Sequence, residues 1–118
     1  MDLIDANVIL RFLLRDIEDQ YLIASQVIEK GCFTTTEVLA EVVYVLTKVY
    51  RVSRLEVASA LFSLLKQVQV ENGIAILYGI TLFRDTNLDF VDCLLISYNN
   101  VLGKHVVSFD KKLNSYLA

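Results

Sequence analysis

The residues of this chain best suited to chemistry are acids set among apolar neighbours. Asp5, in MDLIDANVIL, interrupts a run that Leu3, Ile4, Val8, Ile9 and Leu10 would otherwise continue. A charge planted in a prospective core is costly unless something pairs with it. Asp110 follows directly on the apolar run HVVSF. Glu41 lies on the flank of its apolar stripe, with Tyr44 and Val45 rather than a base at i+3 and i+4. Asp92 has Leu88, Leu95 and Ile96 at i−4, i+3 and i+4, and Asp89 at i−3. Each acid alone has an ordinary explanation. Asp5 and Asp110 suit a helix N-cap, although Asn7 and Ser108 could cap in their place. Glu41 could be a solvated flank residue, and Asp89 a first-turn acid favoured by the helix dipole. Taken together, Asp5, Glu41, Asp92 and Asp110 sit on four separate elements without a local basic partner. Two carboxylates about 5 Å apart repel by about 3 kcal/mol at an effective dielectric of about 20. Gathering four therefore calls for cations. Hard oxygen donors without a His or Cys cluster suit Mg²⁺ or Mn²⁺ rather than zinc. The lone His105 reads as structural.

The elements that must position these acids can be read from periodicity. Four short runs have β character: Asp2 to Asp5, Gly31 to Thr34, Val68 to Glu71 and His105 to Phe109. The first and last are nearly continuous apolar runs, as in strands covered on both faces. Helical periodicity fills the intervals, most clearly from Glu37 to Tyr50, with apolar residues at 38, 39, 42, 43, 45, 46, 49 and 50. Ser53-Arg54-Leu55-Glu56 and Thr34-Thr35-Thr36-Glu37 both fit the capping box. Asn87 is a fitting N-cap for a helix over Leu88 to Leu102, which Gly103 would end. Strands alternating with helices predict an α/β fold, a three-layer α/β/α sandwich around a parallel sheet. Ligands of such sheets bind outside the carboxyl ends of the strands, where Asp5 and Asp110 both fall.

Composition sets the outer limits. The chain has 118 residues without proline, repeats or low-complexity segments, and reads as a single domain over 1–118. Its hydrophobic content of 55% is high for a short chain and suggests a sheet covered on both faces, with room for a subunit interface as well. No apolar run reaches the roughly 20 residues that span a bilayer, and no basic n-region marks a signal peptide. Cys32 and Cys93 lie in apolar contexts without CxxC spacing, as expected of reduced thiols in a cytoplasmic protein. Eleven basic against fourteen acidic residues, a net charge of −3, argue against nucleic-acid binding by bulk positive charge. They leave room for an enzyme whose acids hold divalent cations.

The set IDANVIL, TTTEVLAEVVYVL, LDFVDCLL and VVSFDKKL, in that order and spacing, resembles the PIN-domain nucleases over essentially the whole chain. The small size and the AEVVYVL helix are most similar to VapC-type toxins, the ribonuclease halves of bacterial toxin–antitoxin pairs. The resemblance implies a central parallel sheet of four to five strands. It also implies that Asp5, Glu41, Asp92 and Asp110 are the four catalytic acids, and that Asp5, Asp92 and Asp110 hold Mg²⁺ or Mn²⁺ during hydrolysis of RNA. Asn7 and Asp89 would be supporting polar groups. Arg11, Arg15, Lys111 and Lys112 would be phosphate donors, although as ordinary solvated bases they need no such role. A homodimer and a cognate antitoxin protein follow from the same resemblance. Ala6 departs from the Thr or Ser that the family often carries, which removes one hydroxyl. The chain runs only a few residues beyond Asp110, so a fifth strand would be short or absent.

Two rivals remain. One is a non-catalytic PIN-fold module that binds RNA or a protein partner without cleaving. The other is a phosphoryl-transfer domain of receiver or HAD-phosphatase type. A receiver needs an Asp at the end of the third strand, where this chain has Val70-Glu71-Asn72. A HAD-type enzyme needs a second Asp two residues after its nucleophile, where Asn7 stands.

Overall fold

Three of the four apolar runs with β character form strands. In the computed structural model, which describes residues 1–118, these are β1 (Asp2–Leu3), β2 (Cys32–Thr34) and β3 (Val68–Val70). They pair in parallel in the order β1-β2-β3, with Leu3 beside Phe33 and Phe33 beside Gln69. The chain divides into two units, Met1–Glu71 and Asn72–Ala118.

The first unit holds the sheet together with α1 (Ala6–Leu14), α2 (Glu18–Lys30), α3 (Thr36–Tyr44) and α4 (Arg54–Leu64). Crossover helices are what parallel strands require. Its core is aliphatic: Ile9, Leu39, Val42, Val57, Leu61 and Leu64 are fully buried. α1 packs against both α2 and α3. Alternation along the strands sends Cys32 and Val68 inward, while Leu3, Phe33 and Gln69 form an exposed row on the opposite face. Leu3 is 58% exposed and Phe33 37%. The expectation of a first strand covered on both faces therefore does not hold. The buried Thr34 hydroxyl donates to the carbonyl of Ile4 at 3.0 Å. With Thr34 committed there, the cap of α3 falls one residue later than the expected box: Thr35 Oγ1 accepts from the amide of Val38 at 3.2 Å. Ser53 caps α4 as expected, accepting from Glu56 N at 3.2 Å. Beyond Tyr44 the α-helical ladder gives way to a π-helical turn over Val45–Val49. There the Thr47 hydroxyl donates to the carbonyls of Val43 and Tyr44 at 2.7 and 3.2 Å. Such side-chain bonds compete with the backbone ladder. The Cys32 thiol is buried and free, its pKa raised by burial and by Asp2, so it stays protonated and unreactive.

The second unit consists of α5 (Gly73–Asp85), α6 (Phe90–Leu102) and α7 (Lys111–Asn114). α5 and α6 approach closely at Gly79, where an added Cβ would lie 3.1 Å from Leu94 Cδ2. Phe83 and Phe90 meet edge to face at 5.7 Å, and the buried Ser97 hydroxyl donates to the carbonyl of Ala75. α6 ends at Gly103 with φ of 70°, its N–H bonded to Asn99 O and that of Lys104 to Tyr98 O. This is the left-handed termination that glycine favours.

His105 to Phe109, expected as a fourth strand, forms none, so the sheet has three strands rather than four to five. β character expresses packing and pairing more than local preference, and this run acquires no ladder partner. Val107 is 78% exposed and Phe109 entirely so. The segment leads into α7 through Ser108 instead. The Ser108 hydroxyl accepts from Asp110 N at 3.0 Å, and its carbonyl accepts from Asn114 Nδ2 at 2.9 Å. No helix is long and apolar enough to cross a membrane.

Candidate functional site

Asp5 follows β1 and caps α1. Its extended backbone (φ −94°, ψ −179°) lets Oδ1 accept from Val8 N at 3.0 Å. The bond occupies one carboxylate oxygen and leaves Oδ2 uncommitted on an exposed side chain. Asn7, the other candidate cap, is exposed within the first turn, while Ala6 beside it is buried. Glu41 is exposed on α3, one turn beyond Glu37. These three residues belong to the first unit.

The remaining acids belong to the second. Asp89 rather than Asn87 starts α6, in extended conformation and without a side-chain capping bond. Asn87 instead accepts from the ammonium of Lys112. Asp92 lies in the first turn of α6 and is half-buried. Its pKa is raised, first by burial and then by the negative charges of Asp89 and Asp110. Asp110 caps α7, Oδ1 accepting from Leu113 N at 3.0 Å, so Ser108 leaves that role to it. Within neither unit is a group of three or more His, Cys, Asp or Glu side chains close enough to hold a metal ion.

The donor set nonetheless fits a hard divalent cation in kind. Every candidate ligand is a carboxylate, the oxygen donor that hard cations prefer.

Of the expected phosphate donors, Arg11 is turned inward. Its side chain is 13% exposed, pairs with Asp16 Oδ2 at 3.1 Å and reaches the Tyr50 hydroxyl at 3.5 Å. Its Nε is buried without a partner. Arg15 ends α1 in left-handed conformation, its guanidinium 4.2 Å from the centre of the Tyr21 ring. Tyr21 in turn stacks on Phe12 at 5.9 Å. Lys112 is engaged by Asn87, and Lys111 is exposed.

One feature of the first unit has no counterpart among the sequence expectations. A cavity of about 540 Å³ lies over the exposed face and carboxyl ends of β2 and β3, walled by Met1, Phe33, Thr36, Glu37, Gln69, Val70 and Glu71. Glu37 is available to it because the cap bond runs from Thr35 to Val38 instead of through the expected box. The only sequence signal was a pair of acids, Glu37 and Glu71, each closely following a strand-like run.

The family model described as PIN domain matches residues 3–116, a span that includes Asp5, Glu41, Asp89, Asp92 and Asp110. Comparison with curated proteins and with solved structures gives no match.

Proposed function

Because this chain belongs to the PIN domain family, and so to a family of nuclease-type function, we propose that it is a divalent-metal-dependent endoribonuclease. We further propose that it is the toxin component of a toxin–antitoxin pair, acting in the cytoplasm as a homodimer that a cognate antitoxin restrains. The carrying observation is the match over residues 3–116; the motifs IDANVIL, TTTEVLAEVVYVL, LDFVDCLL and VVSFDKKL within it support reading Asp5, Glu41, Asp92 and Asp110 as the catalytic acids. In this reading Asp5, Asp92 and Asp110 hold Mg²⁺ or Mn²⁺. Such an ion, when bound, supplies Lewis acidity toward the phosphate and eases deprotonation of water. Glu41 serves as a further ligand or orients the attacking water. The amide of Asn7 holds a ligand carboxylate or an ordered water in place, and Asp89 adds negative charge beside Asp92. Lys111, with Lys112 and Arg15, which are likewise exposed, meets the RNA backbone. Asp5 and Asp110 keep one oxygen on a helix N-terminus and offer the other to the cation, so a structural and a chemical role coexist in one side chain.

The test is RNA cleavage with Mg²⁺ or Mn²⁺ by wild type, Asp5→Ala and Asp92→Ala. Each substitution is expected to lower the rate at least 100-fold, about 2.7 kcal/mol of transition-state stabilisation. Equal rates in all three would mean that the cleavage is not performed by these acids.

A non-catalytic RNA- or protein-binding module is the second reading. Thermal melting discriminates. A nuclease melts higher with Mn²⁺, and Asp5→Asn abolishes the shift. The absence of any shift in wild type favours the module.

A further inference from the structure

We propose that the cavity at the ends of β2 and β3 is a base-specificity pocket for a guanine flanking the scissile phosphate, an inference that rests on the ribonuclease reading above. The pocket belongs wholly to the first unit, and its 540 Å³ falls in the range of small-ligand sites. Its walls combine two kinds of surface. Phe33 and Gln69 are register partners on the exposed face of the sheet, so ring and amide stand side by side at the opening. Beside them, Glu37 and Glu71 bring two exposed carboxylates that belong to neither the Arg11–Asp16 nor the Arg84–Asp85 pair. Thr36 adds a hydroxyl, whereas Thr34 and Thr35 are committed to Ile4 O and Val38 N.

This donor and acceptor set selects among ligands. A carboxylate binds best where two N–H donors lie side by side. On a Watson–Crick edge only guanine offers that pair, at N1 and N2. Adenine and cytosine set a ring-nitrogen acceptor beside their amino group, and uracil flanks its single N–H with two carbonyls. The amide N–H₂ of Gln69 and the hydroxyl of Thr36 are donors suited to O6, and the Phe33 ring is a stacking surface of the kind on which single-stranded bases are held. An arginine side chain from a protein partner would match the carboxylates but, having no acceptor, would leave those two donors unused. A phosphate is disfavoured by both carboxylates, so the base enters and the backbone stays outside.

Position links the pocket to the proposed chemistry. Glu37 and Glu41 are four residues apart on α3, about 6 Å along its axis. A nucleotide whose phosphate lies by Glu41 can therefore place its own or an adjoining base beside Glu37.

The experiment titrates the full chain with guanosine, adenosine, cytidine, uridine and N-acetyl-argininamide while recording amide chemical shifts of Thr36, Glu37, Gln69 and Glu71. Guanosine is expected to give saturable shifts, at least fivefold weaker in affinity in Glu37→Gln/Glu71→Gln and in Gln69→Ala. All three side chains are exposed, and unchanged spectra elsewhere verify folding. Absence of saturation, equal response to all four nucleosides, or tighter binding of the argininamide would overturn the proposal. A second arm maps cleavage positions in an RNA of mixed sequence. Wild type is expected to cut next to guanines, with the ratio of guanine to other sites falling toward one in the double glutamine variant. Cleavage whose base preference is the same in wild type and the double variant would sink the pocket while sparing the nuclease. Guanosine binding without any cleavage would uphold the pocket and sink the nuclease.

Discussion

Asp5 carries two roles that a pair of substitutions can separate. Its Oδ1 accepts the amide of Val8 at 3.0 Å on an exposed helix start. Replacing an N-cap Asp by Ala costs about 1 kcal/mol, within a range of roughly 0.5–2. Asn caps as well as Asp, so Asp5→Asn loses only the attraction of the carboxylate to the helix dipole, roughly 0.3–1 kcal/mol and less in salt. For a chain of this length, Asp5→Ala should lower the melting temperature by about 3–6 °C, and Asp5→Asn by about 1–3 °C. Chemistry ranks the variants differently. If the carboxylate holds a cation, Ala and Asn are equally inactive in RNA cleavage, and both lose the Mn²⁺-dependent rise in melting temperature. Denaturant melts in salt, paired with cleavage rates, give the two rankings from one set of samples. Equal destabilisation by Ala and Asn would refute the capping argument. Full metal-dependent activity in Asp5→Asn would refute the catalytic one.

At Asp92 the raised pKa means that folding disfavours the charged form. The native state then holds its proton more tightly than the unfolded chain, so stability is lost as pH rises through the folded value and regained as it falls. Asp92→Asn should therefore melt higher than wild type at pH 7 without metal, with the gap closing toward about pH 4; a lower melting temperature for the variant at pH 7 would contradict the burial and charge argument. Val107, 78% exposed and in no strand, should tolerate substitution by Ala within about 0.5 kcal/mol in denaturant melts. A cost above about 2 kcal/mol would put the His105 to Phe109 run inside a sheet after all.

Features fixed by nearest neighbours were legible in the sequence. Ser53 caps α4, Gly103 ends α6, and the apolar neighbours of Asp92 announced its half-burial. Features that depend on a distant partner were not. HVVSF has the composition of a strand, but no sequence pattern says whether a ladder partner comes alongside. Three consecutive threonines present equivalent caps, and only the carbonyl of Ile4, thirty residues away, removes Thr34 from the choice. Arg11 and Arg15 looked like free surface bases because Tyr50 and Tyr21 are not local to them in pattern, one across the unit and one on the next helix. The cavity depends on the register of β2 against β3, which places Phe33 next to Gln69.

The π-helical turn at Val45–Val49 also bears on Arg11. Read as one straight helix, Glu37 to Tyr50 would align Val49 and Tyr50 with the buried Leu39, Val42 and Leu46. The turn holds one residue more than an α-helical turn would, and one residue amounts to about 100° of rotation. Val49 and Tyr50 accordingly leave the buried stripe, at 63% and 44% exposure, and the Tyr50 hydroxyl comes to the guanidinium of Arg11. The surplus residue falls in the last turn of the helix, just before the chain leaves it at Tyr50, and so sets the direction in which that tyrosine departs, toward an arginine on α1.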